Sequence, residues 1–505
     1  MTRKGRWKRA RNVQAMSARV FLLGLDAADR HTVGTLLHAG RLPNLARLAA
    51  GSQAQPLPST PLPITPSAWT AAYTGLNPGK TGVLTFERAA GAYRTRIVNS
   101  RDVGDRGMHA LLPRSGKRVI SIGFPMTSPV PDVEGAIVVA GWDAVPESRL
   151  CNDPVWEKRL PDFGYRIEDE FSSDEETLRA SIERRFRLAA VMAESEPWDC
   201  LMLYFGFIDT LGHRLGFGND VTPRLLEIVD REIGALMERL GAGVELAVCS
   251  DHGFGTFARS FSLLQWLESE GYLALRSRLF RGSGEGGIPG IEFMDLDSGV
   301  IDWAASRAFC YDAVGSYGGI RLNVRGRYPV GTVDPRDAWR LAEEIRERLL
   351  SVVDPVTGTR VIAKVSRREE LFWGAHVPEF PELIVEAEPD TVVFVGKRRA
   401  VSGGFELEDG VVHRGPFNSH LPDGIWVSSF PVQPGMRIED VAPTICGVLG
   451  VDLPEDRDGI DRSNRRTKMA DSANRVSCSS ETAEQPYTSE EEELVRRRLE
   501  ALGYL

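Results

Sequence analysis

The chain has 505 residues, of which 42% are hydrophobic and 26% are charged, a balance typical of a globular protein with a sizeable core. Its formal net charge of −9 argues against a nucleic-acid partner, because such proteins carry basic stripes that contact phosphates. No run of about 18 apolar residues occurs, so no transmembrane helix is predicted.

Residues 1–19 are predicted to be a disordered basic tail, or the product of a start codon placed before Met16. No apolar segment follows the basic run, which argues against a secretory signal peptide. The six cysteines are scattered without paired spacing, which predicts free thiols, a cytoplasmic location and no cysteine-based metal site. The basic residues of the tail are Arg3, Lys4, Arg6, Lys8, Arg9 and Arg11.

Short apolar runs predict buried parallel strands, and three of them end in aspartate. A helical pattern over 225–240 lies between two of the runs, with Thr222 and Pro223 predicted as its N-cap and first residue. Strands that alternate with helices predict an α/β fold with a doubly wound, mostly parallel sheet flanked by helices. The predicted strands are 20–26, 118–123, 200–209 and 245–251.

The second half of the chain is predicted to interrupt this core. Residues 20–260 and 400–464 are assigned to one α/β core, and 261–399 to an inserted lid or subdomain that includes a Gly-, Ser- and Arg-rich loop from 276 to 290. Further strands are predicted at 382–387 and 424–429, and a helix at 439–449.

The C-terminal part is predicted to contain a linker and one last helix. Residues 465–487 are polar and Ser-rich, which is typical of a flexible linker. Residues 488–505 are predicted to form a helix that docks on the body. Ser489 with Glu492 fits a capping box at its start.

Acidic and imidazole side chains follow the predicted strands. Ligands bind at the carboxyl ends of strands in such sheets, so we expect Asp26, Asp209 and Asp251 to converge. Three histidines accompany them: His213 in a D-x-x-x-H pattern, His252 directly after Asp251, and His420 in a downstream loop. Taken singly, each is equally consistent with a turn, a surface ion pair or a loop residue. Taken together, they suffice for two metal ions that share a substrate oxygen.

One hydroxyl stands out among these groups. Thr65 lies just before a predicted helix that runs to Thr74 and Gly75. A helix N-terminus stabilises negative charge and binds phosphate, and a metal would lower the pKa of the hydroxyl. The same threonine could serve as the helix cap, a role compatible with nucleophilic attack.

These motifs, in this order, resemble the alkaline phosphatase superfamily, and within it the type I phosphodiesterase/nucleotide pyrophosphatase group, closest to its predicted phosphohydrolases and phosphomutases. The resemblance extends from Val20 to Leu505 and is weakest between 260 and 400. The matching stretches are LLGLDAAD, GRLPNLARL, TPSAWTAAYTGLNPGKTGV, YFGFIDTLGH, SDHGF, SHLPDGIWV and the terminal EEEELVRRRLEALGYL.

The resemblance implies a two-metal site, with Thr65 as the catalytic nucleophile. It implies two divalent ions, zinc or alternatively manganese, and a small phosphate ester or nucleotide-like substrate. Lys80 and His413 are candidates for further substrate contacts; the alternatives are a solvated loop lysine and a structural or surface histidine. One metal would be held by Asp26, Thr65, Asp251 and His252, and the other by Asp209, His213 and His420.

Three functions stay open at this point. The first is hydrolysis of a phosphodiester, nucleotide pyrophosphate or phosphomonoester through a covalent phosphothreonine. The second is a phosphomutase that returns the phosphoryl group to its substrate from the same site. The third is a metal-binding pseudoenzyme that acts as an interaction protein. The sequence does not determine substrate preference, metal identity or oligomeric state.

Overall fold

The computed structural model describes residues 18–49, 54–91, 93–145, 148–280, 299–401, 404–464 and 487–502. The predicted tail up to residue 17, most of the predicted linker and the loop beyond residue 280 lie outside these ranges. Within them, no helix has the length and apolarity needed to cross a bilayer. Five cysteines fall in the described part, and all five are buried free thiols.

The strands are, in chain order, β1 (Arg19–Leu25), β2 (Gln55–Pro58), β3 (Glu87–Gly91), β4 (Arg94–Ile97), β5 (Val119–Ile122), β6 (Ala136–Val139), β7 (Cys200–Phe205), β8 (Val244–Cys249), β9 (Gly253–Ser262), β10 (Leu279–Phe280), β11 (Ala308–Val314), β12 (Tyr317–Leu322), β13 (Ile362–Arg367), β14 (Leu383–Ala387), β15 (Thr391–Phe394), β16 (Arg398–Val401), β17 (Gly404–Leu407), β18 (Val412–Leu421) and β19 (Asp423–Ser428).

The α-helices are α1 (Arg30–His38), α2 (Pro43–Leu48), α3 (Thr65–Thr74), α4 (Pro78–Thr81), α5 (Ser100–Val103), α6 (Met108–Arg114), α7 (Pro154–Arg159), α8 (Glu175–Ser195), α9 (Phe207–Leu215), α10 (Val221–Leu240), α11 (Leu263–Ser269), α12 (Ala338–Leu350), α13 (Arg368–Leu371), α14 (Val441–Leu449) and α15 (Ser489–Leu502).

A seven-stranded sheet forms the centre of the molecule, in the order β2-β19-β8-β1-β7-β5-β6. The five strands from β8 to β6 run parallel, and β19 is antiparallel to both of its neighbours. Every residue of β5 and β7 is buried, as expected for a parallel sheet covered on both faces. Helices α6, α8 and α14 pack against its strands. The predicted α/β fold with a mostly parallel sheet flanked by helices is therefore confirmed.

The predicted strand over 200–209 is wrong at its C-terminal end. Strand β7 ends at Phe205, and Asp209 lies in the first turn of α9. Gly206 makes the transition, and its backbone N–H donates to Glu170 Oε2 at 2.8 Å. The apolar run continues through the break because α9 is buried as well, and a short apolar run does not distinguish a buried strand from a buried helix.

The predicted start of the helix before residue 225 is also wrong, by two residues. Helix α10 begins at Val221, so Thr222 is its second residue and not its N-cap. Asn219 Oδ1 accepts hydrogen bonds from the backbone N–H groups of Val221 and Thr222, at 3.1 and 2.9 Å. Pro223 still lies in the first turn, where no intrahelical donor is needed.

The residues after β9 build a second hydrophobic core, separate from the core around the central sheet. It lies mostly between Phe261 and Leu407, in the part predicted as an insert. A four-stranded sheet in the order β11-β12-β14-β13 belongs to this part, and a three-stranded sheet of β15, β9 and β18 connects it to the chain that returns to β19. The strands predicted at 382–387 and 424–429 correspond to β14 and β19, and the helix predicted at 439–449 corresponds to α14 after a 3₁₀ turn.

The C-terminal helix α15 packs against β4 and α9. Its residues Val495 and Leu499 are buried in the main core. The capping box is formed by Thr488 and Glu491: the Glu491 N–H donates to Thr488 Oγ1 at 3.2 Å, and the Thr488 N–H donates to Glu491 Oε2 at 2.8 Å. The sequence-based assignment of this cap was therefore displaced by one residue.

Candidate active site

Three potential ligands come from the ends of two neighbouring strands. Asp26 directly follows β1, and Asp251 and His252 follow β8, which pairs with β1 in parallel. His252 Nε2 lies 3.2 Å from Asp251 Oδ2 and 3.5 Å from Asp26 Oδ1. All three side chains are buried. We call Asp26, Asp251 and His252 the first cluster.

The backbone around the first cluster is tightly held. Ala27 has a φ of 58°, a left-handed conformation uncommon for a residue other than glycine. In this conformation its N–H donates to Asp251 Oδ1 at 3.3 Å. The next N–H, that of Ala28, donates to Ser250 Oγ at 2.8 Å, and Ser250 Oγ donates to the His252 carbonyl at 2.6 Å. Strained backbone of this kind is common at functional sites, where the surroundings enforce it.

Three more potential ligands come from a helix and a distant strand. Asp209 and His213 lie one turn apart on α9, and His420 lies near the end of β18. Asp209 Oδ1 is 3.4 Å from His213 Nε2 and 3.2 Å from His420 Nε2, and the two Nε2 atoms are 3.0 Å apart. We call Asp209, His213 and His420 the second cluster.

The two clusters adjoin each other. The imidazole rings of His252 and His420 stack with their centroids 3.8 Å apart and their planes at 17°. His252 Nδ1 lies 3.1 Å from the Gly253 carbonyl, and His420 Nδ1 lies 2.8 Å from the Pro63 carbonyl. Because a carbonyl oxygen only accepts, each Nδ1 carries the proton, and the Nε2 lone pair faces the cluster. This tautomer is the one that binds metals through Nε2.

Thr65 is the first residue of α3, and the segment around it contacts both clusters. Two residues before it, the Pro63 carbonyl accepts from His420 of the second cluster. Four residues after it, Trp69 Nε1 donates to Asp26 Oδ2 of the first cluster at 3.0 Å. Thr65 Oγ1 is buried and has no hydrogen-bond partner among the described residues. The segment that carries the threonine hydroxyl therefore contacts one residue of each cluster.

Burial sets the pKa values of the first cluster. It raises the pKa of Asp26 to about 7, with a further contribution from the charge of Asp209. It also raises the pKa of Asp251 well above the usual range, and it lowers that of His252 well below the usual value. Burial also raises the pKa of Asp209 in the second cluster. The charge and hydrogen bonds of His213 and His420 outweigh this effect, so the pKa of Asp209 is lowered. A cation bound beside Asp26 and Asp251 would favour their charged forms and so offset the effect of burial on their pKa values.

The donor atoms fit divalent cations in spacing as well as in chemistry. Within each cluster, one ligand atom per residue lies within 4.8 Å of the others. A tetrahedral site with bonds of about 2.0–2.1 Å has ligand–ligand edges of about 3.3–3.4 Å, close to the 3.0–3.5 Å separations seen in both clusters. Three atoms at the first cluster have no hydrogen-bond partner in the described part of the chain, namely Asp26 Oδ1, Asp251 Oδ2 and His252 Nε2.

Comparison with protein-family models matches residues 20–415 to the type I phosphodiesterase / nucleotide pyrophosphatase model. The chain belongs to this family. The resemblance stated from the sequence is thereby confirmed. The family is one of phosphohydrolases within the alkaline phosphatase superfamily. No curated protein sequence matches the chain.

Solved structures of low sequence identity share the fold. Phosphonoacetate hydrolase from Sinorhizobium meliloti 1021, in complex with phosphonoformate, matches with a TM-score of 0.58 and 14% identity over 86% of this chain and 96% of that one. Murine ectonucleotide pyrophosphatase / phosphodiesterase 5 matches with a TM-score of 0.51 and 14% identity over the same shares. An inactive form of the murine protein was solved in complex with AMP.

The two residues predicted as substrate contacts in this family member do not join the clusters. Lys80 Nζ lies 2.6 Å from Asp458 Oδ1 and 2.6 Å from the Asp456 carbonyl. His413 lies opposite Ser260 in the pairing of β18 with β9. It precedes His420 by seven residues of β18, which places the two histidines about 20 Å apart in an extended strand. The contacts of Lys80 connect α4 to the loop after α14. His413 Nδ1 lies 3.9 Å from Glu408 Oε2.

Sequence reasoning missed the neighbours that hold Asp26. Tyr204 Oη donates to Asp26 Oδ2 at 2.6 Å, alongside the bond from Trp69. Tyr204 lies within β7 and pairs with Gly24 of β1. An apolar strand pattern marks Tyr204 as core and carries no sign of a polar contact across strands, so no signal along the sequence identified it.

Proposed function

We propose that the chain is a two-metal hydrolase of phosphate esters that works through a covalent phosphothreonine at Thr65. The observation that carries this proposal is the position of Thr65, whose buried hydroxyl without a described hydrogen-bond partner lies on a segment that contacts both clusters. Membership of a phosphohydrolase family supplies the reaction class.

The proposed metal ligands follow the two clusters. Bound divalent cations would act as Lewis acids that offset the charge of the transferring phosphoryl group. We propose zinc, and the same oxygen and nitrogen donors also accept manganese. One ion would be held by Asp26, Asp251, His252 and Thr65, and the other by Asp209, His213 and His420.

The chain's own groups divide the reaction into two displacements. Thr65 Oγ attacks phosphorus, the bond from phosphorus to the leaving oxygen breaks, and the threonine proton ends on the leaving group. The N-terminus of α3 directs its positive field toward the phosphoryl oxygens. A water oxygen then attacks the phosphothreonine, releases the phosphate and returns a proton to Thr65 Oγ. Two in-line displacements give net retention at phosphorus.

The substrate class is a phosphodiester, a nucleotide pyrophosphate or a phosphomonoester. The test is a panel of p-nitrophenyl phosphate, bis-p-nitrophenyl phosphate and a dinucleotide, each assayed with zinc and with manganese. We expect hydrolysis of at least one compound, loss of activity on chelation and recovery on metal addition. A mutase would pass phosphate between substrate positions without accumulating free phosphate or phosphomonoester, and that result would contradict hydrolysis.

Replacement of Thr65 tests the covalent step. We expect Thr65→Ala to lower kcat by at least about a thousandfold, since nucleophile loss leaves only binding and electrostatic catalysis, while the melting temperature is retained. Ser67→Ala is the matched control, because Ser67 is equally buried on the same helix and is expected to keep most activity. Rapid quenching should trap an added phosphate on the peptide that contains Thr65. Near-wild-type turnover of Thr65→Ala would overturn the proposal.

A further inference from the structure

We infer that Tyr204 and Trp69 are positioning residues. They orient the carboxylate of Asp26 so that its Oδ1 atom would face a metal ion bound at the first cluster. The inference rests on the proposed function in that it takes the first cluster to be a metal site. It assigns a role to two side chains that do not belong to either cluster.

Both residues donate to the same oxygen of Asp26. Tyr204 Oη lies 2.6 Å and Trp69 Nε1 lies 3.0 Å from Asp26 Oδ2. The other oxygen, Oδ1, has no hydrogen-bond partner in the described ranges, and it lies 3.5 Å from His252 Nε2. Two donors therefore occupy the oxygen that points away from the cluster and leave the facing oxygen free to bind a cation.

The two donors are needed because the side-chain torsion of an aspartate does not fix which carboxylate oxygen faces a cation. The terminal torsion of an aspartate is broad and roughly twofold, so either oxygen, or both, can turn toward a cation. Asp251 in the same cluster is held differently, by the backbone N–H of Ala27 at 3.3 Å. Among the carboxylates of the first cluster, Asp26 is the one held by side-chain donors in the described part of the chain. Its orientation can therefore be tested by substituting those donors.

The donors are themselves fixed by packing. The Trp69 ring meets Tyr204 and Phe124 edge to face, with both centroid distances at 5.4 Å. Gly24 of β1 lies beneath the indole, and a Cβ at this position would stand 2.7 Å from its ring. Tyr204 pairs with Gly24 across β7 and β1. A side chain at residue 24 would displace the indole, so glycine here permits the Trp69 contact.

Metal binding measured directly tests the inference. Tyr204→Phe removes one donor and keeps the phenyl ring. Trp69→Phe removes the other donor and puts a smaller aromatic ring in place of the indole. We expect each variant to bind one of two zinc ions about tenfold more weakly, the usual effect of losing a group that orients a ligand, and the other with unchanged affinity. Activity should recover when the metal concentration is raised. Titration of the apoprotein with zinc, in competition with a chromogenic chelator, measures both affinities.

The chain offers matched controls for both substitutions. Tyr272 Oη donates to Glu344 at 2.7 Å within the second core, and Trp156 Nε1 donates to Glu196 at 3.0 Å. Tyr272→Phe and Trp156→Phe remove the same type of bond away from the clusters. We expect both control variants to leave both zinc affinities unchanged.

The outcomes separate the inference from the proposed function. A wild-type protein that binds no divalent metal contradicts the proposed function itself. A wild-type protein that binds two ions, with Tyr204→Phe and Trp69→Phe binding both as tightly, overturns the inference alone. Equal weakening of both ions, or weakening also in the Tyr272→Phe and Trp156→Phe controls, would indicate a general structural role and would also overturn it.

Discussion

The two clusters contain the same types of side chain but are supported in different ways. The ligands of the first cluster follow β1 and β8, which are adjacent in the central sheet. Those of the second cluster come from α9 and from β18, which pairs with β9 outside the central sheet. A site on neighbouring parallel strands depends on one sheet, whereas the second cluster depends on several elements packing together.

The turn between β11 and β12 lies against His420, which shows how the second cluster depends on packing between separate parts of the chain. Gly315, in the turn between β11 and β12, has a φ of +54°, and a Cβ there would stand 2.4 Å from the His420 carbonyl oxygen. Its N–H donates to Ser419 Oγ at 3.2 Å. The part of the chain with its own hydrophobic core thus contacts the backbone of a second-cluster residue. We expect changes in the insert to affect the second cluster more than the first.

The largest expected effect comes from removing one carboxylate from each cluster in turn. Asp251→Asn should lose the metal of the first cluster, and Asp209→Asn that of the second. Each should lower kcat/KM by about a thousandfold or more, since charge stabilisation is usually the largest catalytic contribution. Metal stoichiometry by mass spectrometry and steady-state kinetics measure both effects. Two full equivalents of metal in both variants would contradict the assignment of ligands.

A smaller effect is expected from Gly315→Ala, which tests the difference in support between the clusters. The added Cβ collides with the His420 carbonyl, so we expect the second-cluster metal to bind about 10–100-fold more weakly and the first to be unaffected. Gly358→Ala is the control. Gly358 has a φ of +68°, and a Cβ there would meet no described atom within 4 Å, so this variant carries the backbone strain without the collision. Equal metal affinities in the two variants would show that the hairpin does not position His420.

The smallest effect is expected at the C-terminal helix, which packs against α9. Thr488→Ala removes the side-chain cap of α15, and loss of such a cap costs about 1 kcal/mol of stability. Denaturant unfolding monitored by circular dichroism measures the change, with Ser489→Ala as the comparison. A larger loss in Ser489→Ala than in Thr488→Ala would contradict the observed capping box. Zinc affinity at the second cluster should change less than about twofold in either variant, since α15 supplies none of its ligands.

The sequence by itself predicted the sheet, because buried strands produce apolar runs that are visible without tertiary information. It also predicted where Asp26 and Asp251 lie, since each directly follows such a run and adjacent parallel strands end at one edge of a sheet. Thr65 was predicted to lie just before a helix that runs to Thr74 and Gly75; it is the first residue of that helix, and Gly75 is the C-cap.

Only the tertiary structure decided the contacts between distant segments. It placed Asp209 on a helix, joined His420 to a carboxylate 211 positions away in the chain, and paired Lys80 with Asp458. It also placed Tyr204 and Trp69 on one oxygen of Asp26. The physical reason is that periodicity and turn chemistry are properties of neighbouring residues, whereas the orientation of a buried polar side chain depends on which groups packing brings to it.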